Sequence, residues 1–359
     1  MAEIDRYLRF VAKHGASDLH LSSGTRPSVR LHGVMTPLNT DPVSAAEAEE
    51  LLNEIMPQRN REEFEAVHDT DFAYELDEVG RFRTNIFYDR MGMGGVFRLI
   101  PSDILTADDI GLSEAIRNFC QMPKGLVLVT GPTGCGKSTT LAAMIDVVNK
   151  SRREHVITIE DPIEFVHQNQ QCLINQREVH THTKSFAAAL RGALREDPDV
   201  VLVGEMRDLE TTHIAIETAE TGHLVFATLH TNTAASSVDR LIDQFPPDHQ
   251  EQIRTMVAAS LKGVISQVLL RRKAGGRVAA MEVLVVNPGV AHIIREGRTH
   301  QIPSMMQTGG REGMSTLNDA ILKLVMDEIV SPEEALAKTV DRRDLLDKFK
   351  VAGLAQHGA

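Results

Sequence analysis

Residues Gly131–Ser138 read GPTGCGKS. This satisfies G-x-x-x-x-G-K-[ST], a spacing built to hold phosphate. Glycines let the backbone turn its N–H groups inward around phosphate oxygens, and a helix opening there adds partial positive charge. Lys137 is placed to reach β- and γ-phosphates, and Ser138 to ligate Mg²⁺. The expected nucleotide contacts are Gly131, Pro132, Thr133, Gly134, Cys135, Gly136, Lys137, Ser138 and Thr139. Cys135 reads either as a thiol activated near a helix N-terminus or as a small neutral filler, and the filler reading is favoured.

Two acidic clusters follow short apolar runs. Glu160, Asp161 and Glu164 come after Val156–Ile159, and Glu205 after Val200–Val203. In an open α/β sheet, ligands bind beyond the carboxyl ends of the strands, so both clusters should converge on the phosphate loop. Glu205 directly ends its strand and is the metal-side candidate, alongside Ser138. Glu164 is the candidate general base because Pro162 bends the chain away from the strand, with Glu160 the runner-up. Each carboxylate could instead cap a helix or sit in a solvated loop.

His223 and His230 bracket the run LVFATL and stand at its opposite ends, so they cannot jointly chelate one ion. His230, at the carboxyl end, either contacts phosphate or is structural. His180 and His182 form an H-x-H pair, which reads as a solvated loop more readily than a metal site because no further ligand is near. Arg81 and Arg83 share one face of GRFRTNIF, and Arg98 follows in GVFRLIP. Such guanidiniums either stabilise charge in phosphoryl transfer or decorate a solvated sheet face. Arg195, Arg207 and Arg240 are further candidates with nothing to distinguish them.

Apolar patterning gives the elements that carry these groups. A helix is expected over 3–14. Alternation then predicts strands around Leu19–Leu21 and Val29–Leu31, a helix over 44–56, and strands over 71–76, 80–88 and 94–100. This is a small α+β domain with an antiparallel sheet over residues 1–100. Pro101 and the polar run to Asp109 read as a linker (101–110). From 111 to 359 the pattern becomes α/β. A helix at Leu112–Cys120 leads to the buried run GLVLVTG. Helices at 137–149, 185–196, 208–221 and 233–244 then alternate with the strands HVITIED, VVLVGE and HLVFATLH. A hairpin joins VLLRR to RVAAMEVLVV through Ala274-Gly275-Gly276, and the tail from about 316 is helical.

Composition closes off other classes. The 359 residues carry 38 Lys+Arg against 50 Asp+Glu, a net charge of −12, with −6 on either side of residue 100. Coating nucleic acid by charge requires a basic surface, which neither part has. With no Trp and 4% aromatics, a base-stacking platform is not expected. No run reaches the length of a membrane span, and MAEIDRYLRF has no signal-peptide core. The three cysteines, Cys120, Cys135 and Cys172, form no CxxC pair, which fits a reducing compartment.

Four segments in order, GPTGCGKSTTLAAMID, TIEDPIEF, REDPDVVLVGEMRDLET and AETGHLVFATLHTNTA, resemble the Walker A, Asp box, Walker B and His box of the secretion-superfamily ATPases. ASDLHLSSGTRPSVRLHG, GRFRTNIFYDR and VFRLIP resemble that family's N-terminal PAS-like domain. Within the superfamily, the chain is most similar to the PilT family of type IV pilus retraction ATPases. It is short, has no tetracysteine insertion, and carries IIREGRTHQIPSMMQTG and GMSTLNDAI after Glu282. The family's AIRNLIRE signature stands here as VAHIIREG, Val290–Gly297, with Ile294, Arg295 and Glu296 retained.

The resemblance implies a RecA-like P-loop NTPase domain preceded by a small PAS-like domain, in a homohexameric ring. ATP and Mg²⁺ would bind between neighbouring chains, with Arg81, Arg83 and Arg98 acting across the boundary and His223 among the nucleotide contacts. It further implies hydrolysis of ATP at the cytoplasmic face of the inner membrane, an inner-membrane platform protein as partner, and pilin removal from the pilus base. A divergent retraction paralogue, a related secretion or assembly ATPase, and a RecA-like nucleic-acid motor are the alternatives.

Overall fold

The computed structural model describes residues 2–31, 33–100 and 104–354. Pro101–Asp103, which begin the expected linker, and the last five residues of the expected second domain lie outside the described residues. The chain divides into two compact units, one of residues 1–103 with 162–166, the other of 104–161 with 167–359.

The first unit runs α1 (Asp5–Lys13), β1 (Asp18–Ser22), β2 (Ser28–Leu31), β3 (Val34–Pro37), α2 (Ala45–Ile55), α3 (Gln58–Val67), β4 (Asp69–Leu76), β5 (Gly80–Asp89) and β6 (Gly92–Ile100). Its six strands form one antiparallel sheet in the order β3-β2-β1-β6-β5-β4. Leu19, Leu21, Phe82, Ile86 and Phe97 send their side chains to one face and pack with Leu8 and Val11 of α1 and Leu51 and Leu52 of α2. The period of two in β5 puts Phe82, Thr84 and Ile86 in this core and Arg81, Arg83 and Asn85 on the other face. Ser44 caps α2 by accepting from the Glu47 amide. Sequence patterning missed α3, because only Asn60 and Phe64 of its ten residues are buried. It also missed β3, an exposed edge strand.

The second unit contains α4 (Glu114–Phe119), β7 (Gly125–Thr130), α5 (Lys137–Ser151), β8 (His155–Glu160), β9 (Leu173–Glu178), α6 (Phe186–Ala193), β10 (Val200–Val203), α7 (Leu209–Thr221), β11 (Leu224–Leu229), α8 (Ala234–Asp243) and α9 (Gln250–Ser260). It continues with β12 (Leu261–Arg271), β13 (Arg277–Val285), α10 (Pro288–Arg295), α11 (Ile302–Thr308), α12 (Leu317–Met326), α13 (Pro332–Lys338) and α14 (Arg342–Val351). The sheet order is β13-β12-β7-β11-β10-β8-β9. All neighbours are parallel except the β12–β13 hairpin at one edge.

β7, β10 and β11 are buried along their whole length. Alternate residues serve opposite faces. Leu126, Leu128, Val201, Val203 and Val225 pack against residues of α6, α7, α8 and α9. Val127, Val129, Val200 and Leu202 pack against residues of α4 and α5. Burial on both faces explains why these strands read as continuous apolar runs. A third cluster joins Leu270 and Ala280 of the hairpin to α12, α13 and α14. The strand β9 escaped detection because it is a sheet edge carrying Asn175, Gln176 and Arg177. The buried Glu282 on β13 accepts from the amide of Ala234 at 2.6 Å and of Leu317 at 3.3 Å. One carboxylate thereby tethers the first turns of α8 and α12 to the sheet.

Candidate active site

β7 ends at Thr130 and α5 opens at Lys137, so the phosphate motif is the turn between them. All three of its glycines carry conformations that L side chains resist, Gly134 with φ of 77°. Gly131 has φ of 142°, and a Cβ there would stand 2.4 Å from the Gln267 carbonyl oxygen. Gly136, the residue before α5, has φ of 92°. Lys137 Nζ donates to the carbonyls of Gly131 at 2.9 Å and Pro132 at 3.3 Å, folding the ammonium over the loop. Ser138 lies in the first turn of α5. Cys135 is buried, and burial pushes its thiol pKa up against the opposing pull of Lys137. It therefore stands as a neutral thiol, in keeping with the filler reading.

The parallel register brings the carboxyl ends of β7, β11, β10 and β8 to one edge. Glu205 lies two residues beyond Val203. The Met206 amide donates to the Thr228 carbonyl, which ties this turn to β11. The Glu205 carboxylate meets Arg207 Nη2 at 2.7 Å and His230 Nε2 at 3.0 Å. Burial works to raise its pKa, but the Arg207 hydrogen bond and charge, with His230 and Lys137 behind them, outweigh this and hold it below the ordinary value. Glu205 is thus an anion at neutral pH, paired with the Arg207 guanidinium and in contact with the His230 ring. Asp161 also raises the pKa of Arg207, so this guanidinium is bracketed by the ends of β8 and β10.

The other expected residues fall out unevenly. Glu160 accepts from Thr158 Oγ1 at 2.6 Å and from Gln176 Nε2 at 3.2 Å, which fixes its carboxylate at the end of β8. Glu164 belongs to 162–166, the segment that groups with the first unit. His230 joins the Glu205 cluster, but His223 does not. It precedes Leu224, which pairs with Gly125 at the start of β7. Six strand residues, about 20 Å, separate that edge from the loop. Its Nδ1 instead lies 3.1 Å from the Thr218 carbonyl, closing the C-terminus of α7. Within one chain, strand direction therefore puts His223 at the edge of the sheet opposite the phosphate loop.

His182 Nδ1 accepts from the Glu178 amide at 3.0 Å, so that ring serves the loop. Among the described residues, no three His, Cys, Asp or Glu side chains are grouped to hold a metal ion. On the first unit's sheet, Arg83 stands opposite Arg98. Like charges directly across strands repel, and each has a carboxylate in answer. Arg98 Nε lies 2.9 Å from the buried Asp18, whereas Arg83 Nε is 3.9 Å from Asp71. Arg98 is thereby tied into its own sheet. Arg83 is held more loosely. Arg81, facing the same side, is half-buried.

Sequence reasoning did not separate Arg207 from other arginines, although its place two residues after Glu205 was a usable signal. It missed Gln267 altogether. That buried side chain accepts from Thr140 Oγ1 at 2.8 Å and donates to the Cys135 carbonyl at 2.7 Å.

A glycine-rich loop leaving a central parallel strand, a lysine folded over it and a polarised carboxylate beside it define a P-loop α/β nucleotide-binding protein. Comparison with known proteins narrows the class. The profile of the family described as "Type II/IV secretion system protein" matches residues 2–337, and the chain belongs to that family. It is 49% identical over 336 residues to the "Type IV pilus retractation ATPase PilT" of Pseudomonas aeruginosa, covering 94% of this chain and 98% of that one. It is also 49% identical over 310 residues to the "Twitching motility protein" of Neisseria gonorrhoeae, covering 86% and 83%. Among solved structures, that of the "Pilus Retraction Motor PilT and Bound ADP" superposes with a TM-score of 0.89 at 42% identity, covering 96% of this chain and 99% of that one. Among the described residues, no helix is long and apolar enough to cross a membrane.

Proposed function

We propose that this chain is the ATP-hydrolysing subunit of a homohexameric motor that powers type IV pilus retraction. The observation that carries the reading is the phosphate loop with Lys137 and the Arg207- and His230-flanked Glu205 beside it. It sits in a chain 49% identical to a named pilus retraction ATPase over nearly its whole length. The backbone N–H groups of the Gly131–Ser138 loop, of which Pro132 has none, and the Lys137 ammonium bind the phosphates of ATP. Ser138 and Glu205 would hold Mg²⁺, directly or through water, and the ion would supply positive charge against the phosphates. Glu164 takes the proton of the attacking water, with Glu160 the alternative, and His230 keeps Glu205 oriented. The reaction consumes ATP and water and yields ADP and phosphate, by positioning and electrostatics.

Residues 1–100 form a PAS-like domain, 101–110 a linker and 111–359 a RecA-like domain. The parallel order β12-β7-β11-β10-β8, with the loop leaving β7, supports the RecA-like reading. Arg81, Arg83 and Arg98 complete the site of the adjacent chain, Arg83 being the least committed to its own sheet. The ring works at the cytoplasmic face of the inner membrane through a platform protein, without direct nucleic-acid contact. A second reading, a divergent retraction paralogue, draws on the altered signature at Val290–Gly297. Val290, Ile293 and Ile294 are buried in α10 while His292, Arg295 and Glu296 are exposed, so the change touches a surface as well as a core.

Shared sites make a definite expectation for mixed rings. Arg83→Ala chains and Lys137→Ala chains should each be inactive alone. Mixed after dissociation, they should regain ATP hydrolysis, because some interfaces then pair an intact loop with an intact arginine. Rings that demonstrably exchange subunits yet stay inactive would mean that each chain completes its own site.

A further inference from the structure

The phosphate loop is shaped from outside by β12. Ser266 pairs in register with Thr130, the last residue of β7, so Gln267 is the β12 residue beside the start of the loop. Its backbone carbonyl fills the space where Gly131 would carry a Cβ. Its side chain is 2% exposed and makes the two hydrogen bonds described above, to Cys135 and Thr140. Ser266 Oγ and Thr130 Oγ1 lie 2.7 Å apart, and Ser237 Oγ donates to Thr130 Oγ1 at 3.3 Å, anchoring the base of the loop.

A carbonyl can only accept, so the amide nitrogen must face Cys135. The Thr140 hydroxyl then holds the amide oxygen and prevents a flip. The peptide between Cys135 and Gly136 is planar and trans, so its C=O and N–H point in opposite directions. Drawing the Cys135 carbonyl outward to Gln267 therefore turns the Gly136 N–H inward, toward the phosphate cradle. We propose that Gln267 is a positioning residue for nucleotide binding, which acts through Cys135 and Gly136 without touching the phosphate and is itself oriented by Thr140. The inference rests on reading Gly131–Ser138 as the nucleotide site and adds a residue 132 positions away.

The test measures dissociation constants for MgADP carrying a fluorescent ribose label, using the full chain. Lys137→Ala is the control for the site itself; unchanged affinity there would overturn the site reading rather than the role of Gln267. Gln267→Met keeps the length and removes both hydrogen bonds. With Lys137 intact it should weaken affinity about tenfold, as loss of one aimed donor implies. It should raise KM more than it lowers kcat.

Gln267→Glu supplies a readout that packing alone would not move. An ionised carboxylate opposes the Cys135 carbonyl, whereas a protonated one donates to it. Burial raises the pKa of the introduced carboxyl, so its affinity relative to wild type should recover as pH falls from about 8 to about 6. Thr140→Val leaves Gln267 in place but unoriented and should weaken binding by about threefold. It carries the test if Gln267→Met does not fold. Wild-type affinity in a folded Gln267→Met or Thr140→Val protein, or a pH-independent ratio for Gln267→Glu, would overturn the proposal.

Discussion

Lys137→Ala is expected to lower ATP turnover at least ~10²- to 10³-fold, the loss found when one preorganised charge-stabilising donor is removed from an active site. The ammonium already lies over the loop, 2.9 Å from the Gly131 carbonyl and 3.3 Å from that of Pro132. It is held by neutral carbonyls, and a charged phosphate makes the stronger partner for an ammonium. Its charge also helps keep Glu205 ionised. Truncation removes both effects while leaving the loop backbone intact. Because the side chain is half-buried and joins no core cluster, thermal stability should change little. Phosphate release at saturating MgATP, with a melting curve alongside, checks this. Undiminished turnover in a folded variant would remove the loop from the mechanism.

Glu164→Gln should leave nucleotide affinity largely intact while turnover falls ~10²- to 10⁴-fold, the range expected for a lost general base. The carboxylates differ in how far they are already engaged. Glu205 is occupied by Arg207 and His230, and Glu160 by Thr158 and Gln176. Glu164 instead follows Pro162, beyond the end of β8, in a segment that groups with the first unit. Glutamine preserves shape and abolishes basicity. Comparing labelled-ADP affinity with single-turnover hydrolysis separates binding from chemistry. If Glu164→Gln turns over normally and Glu160→Gln does not, the base is the residue that ends β8.

What could be read in the chain beforehand depended on how local each feature is. GPTGCGKS carries its glycines, lysine and helix start in one stretch, and the loop between β7 and α5 matches it. Glu205 was legible because it follows an apolar strand. Its pairing with His230 was not, since it depends on β10 and β11 ending side by side. Gln267 was invisible for the same reason, as only the β12–β7 register brings it to the loop. His223 shows the converse. Its seven-residue separation from His230 placed the two at opposite ends of a strand, and the register bears that out. Polar elements such as α3 and the edge strand β9 bury too little to leave a periodic trace.

The claim that this chain drives pilus retraction by hydrolysing ATP is tested most directly by counting surface pili and scoring twitching motility in a deletion strain. That strain should carry excess pili that do not retract and should not twitch. The wild-type chain should restore both properties, and the Lys137→Ala chain neither. A deletion strain that lacks surface pili, or one that Lys137→Ala restores to retraction, would contradict the account.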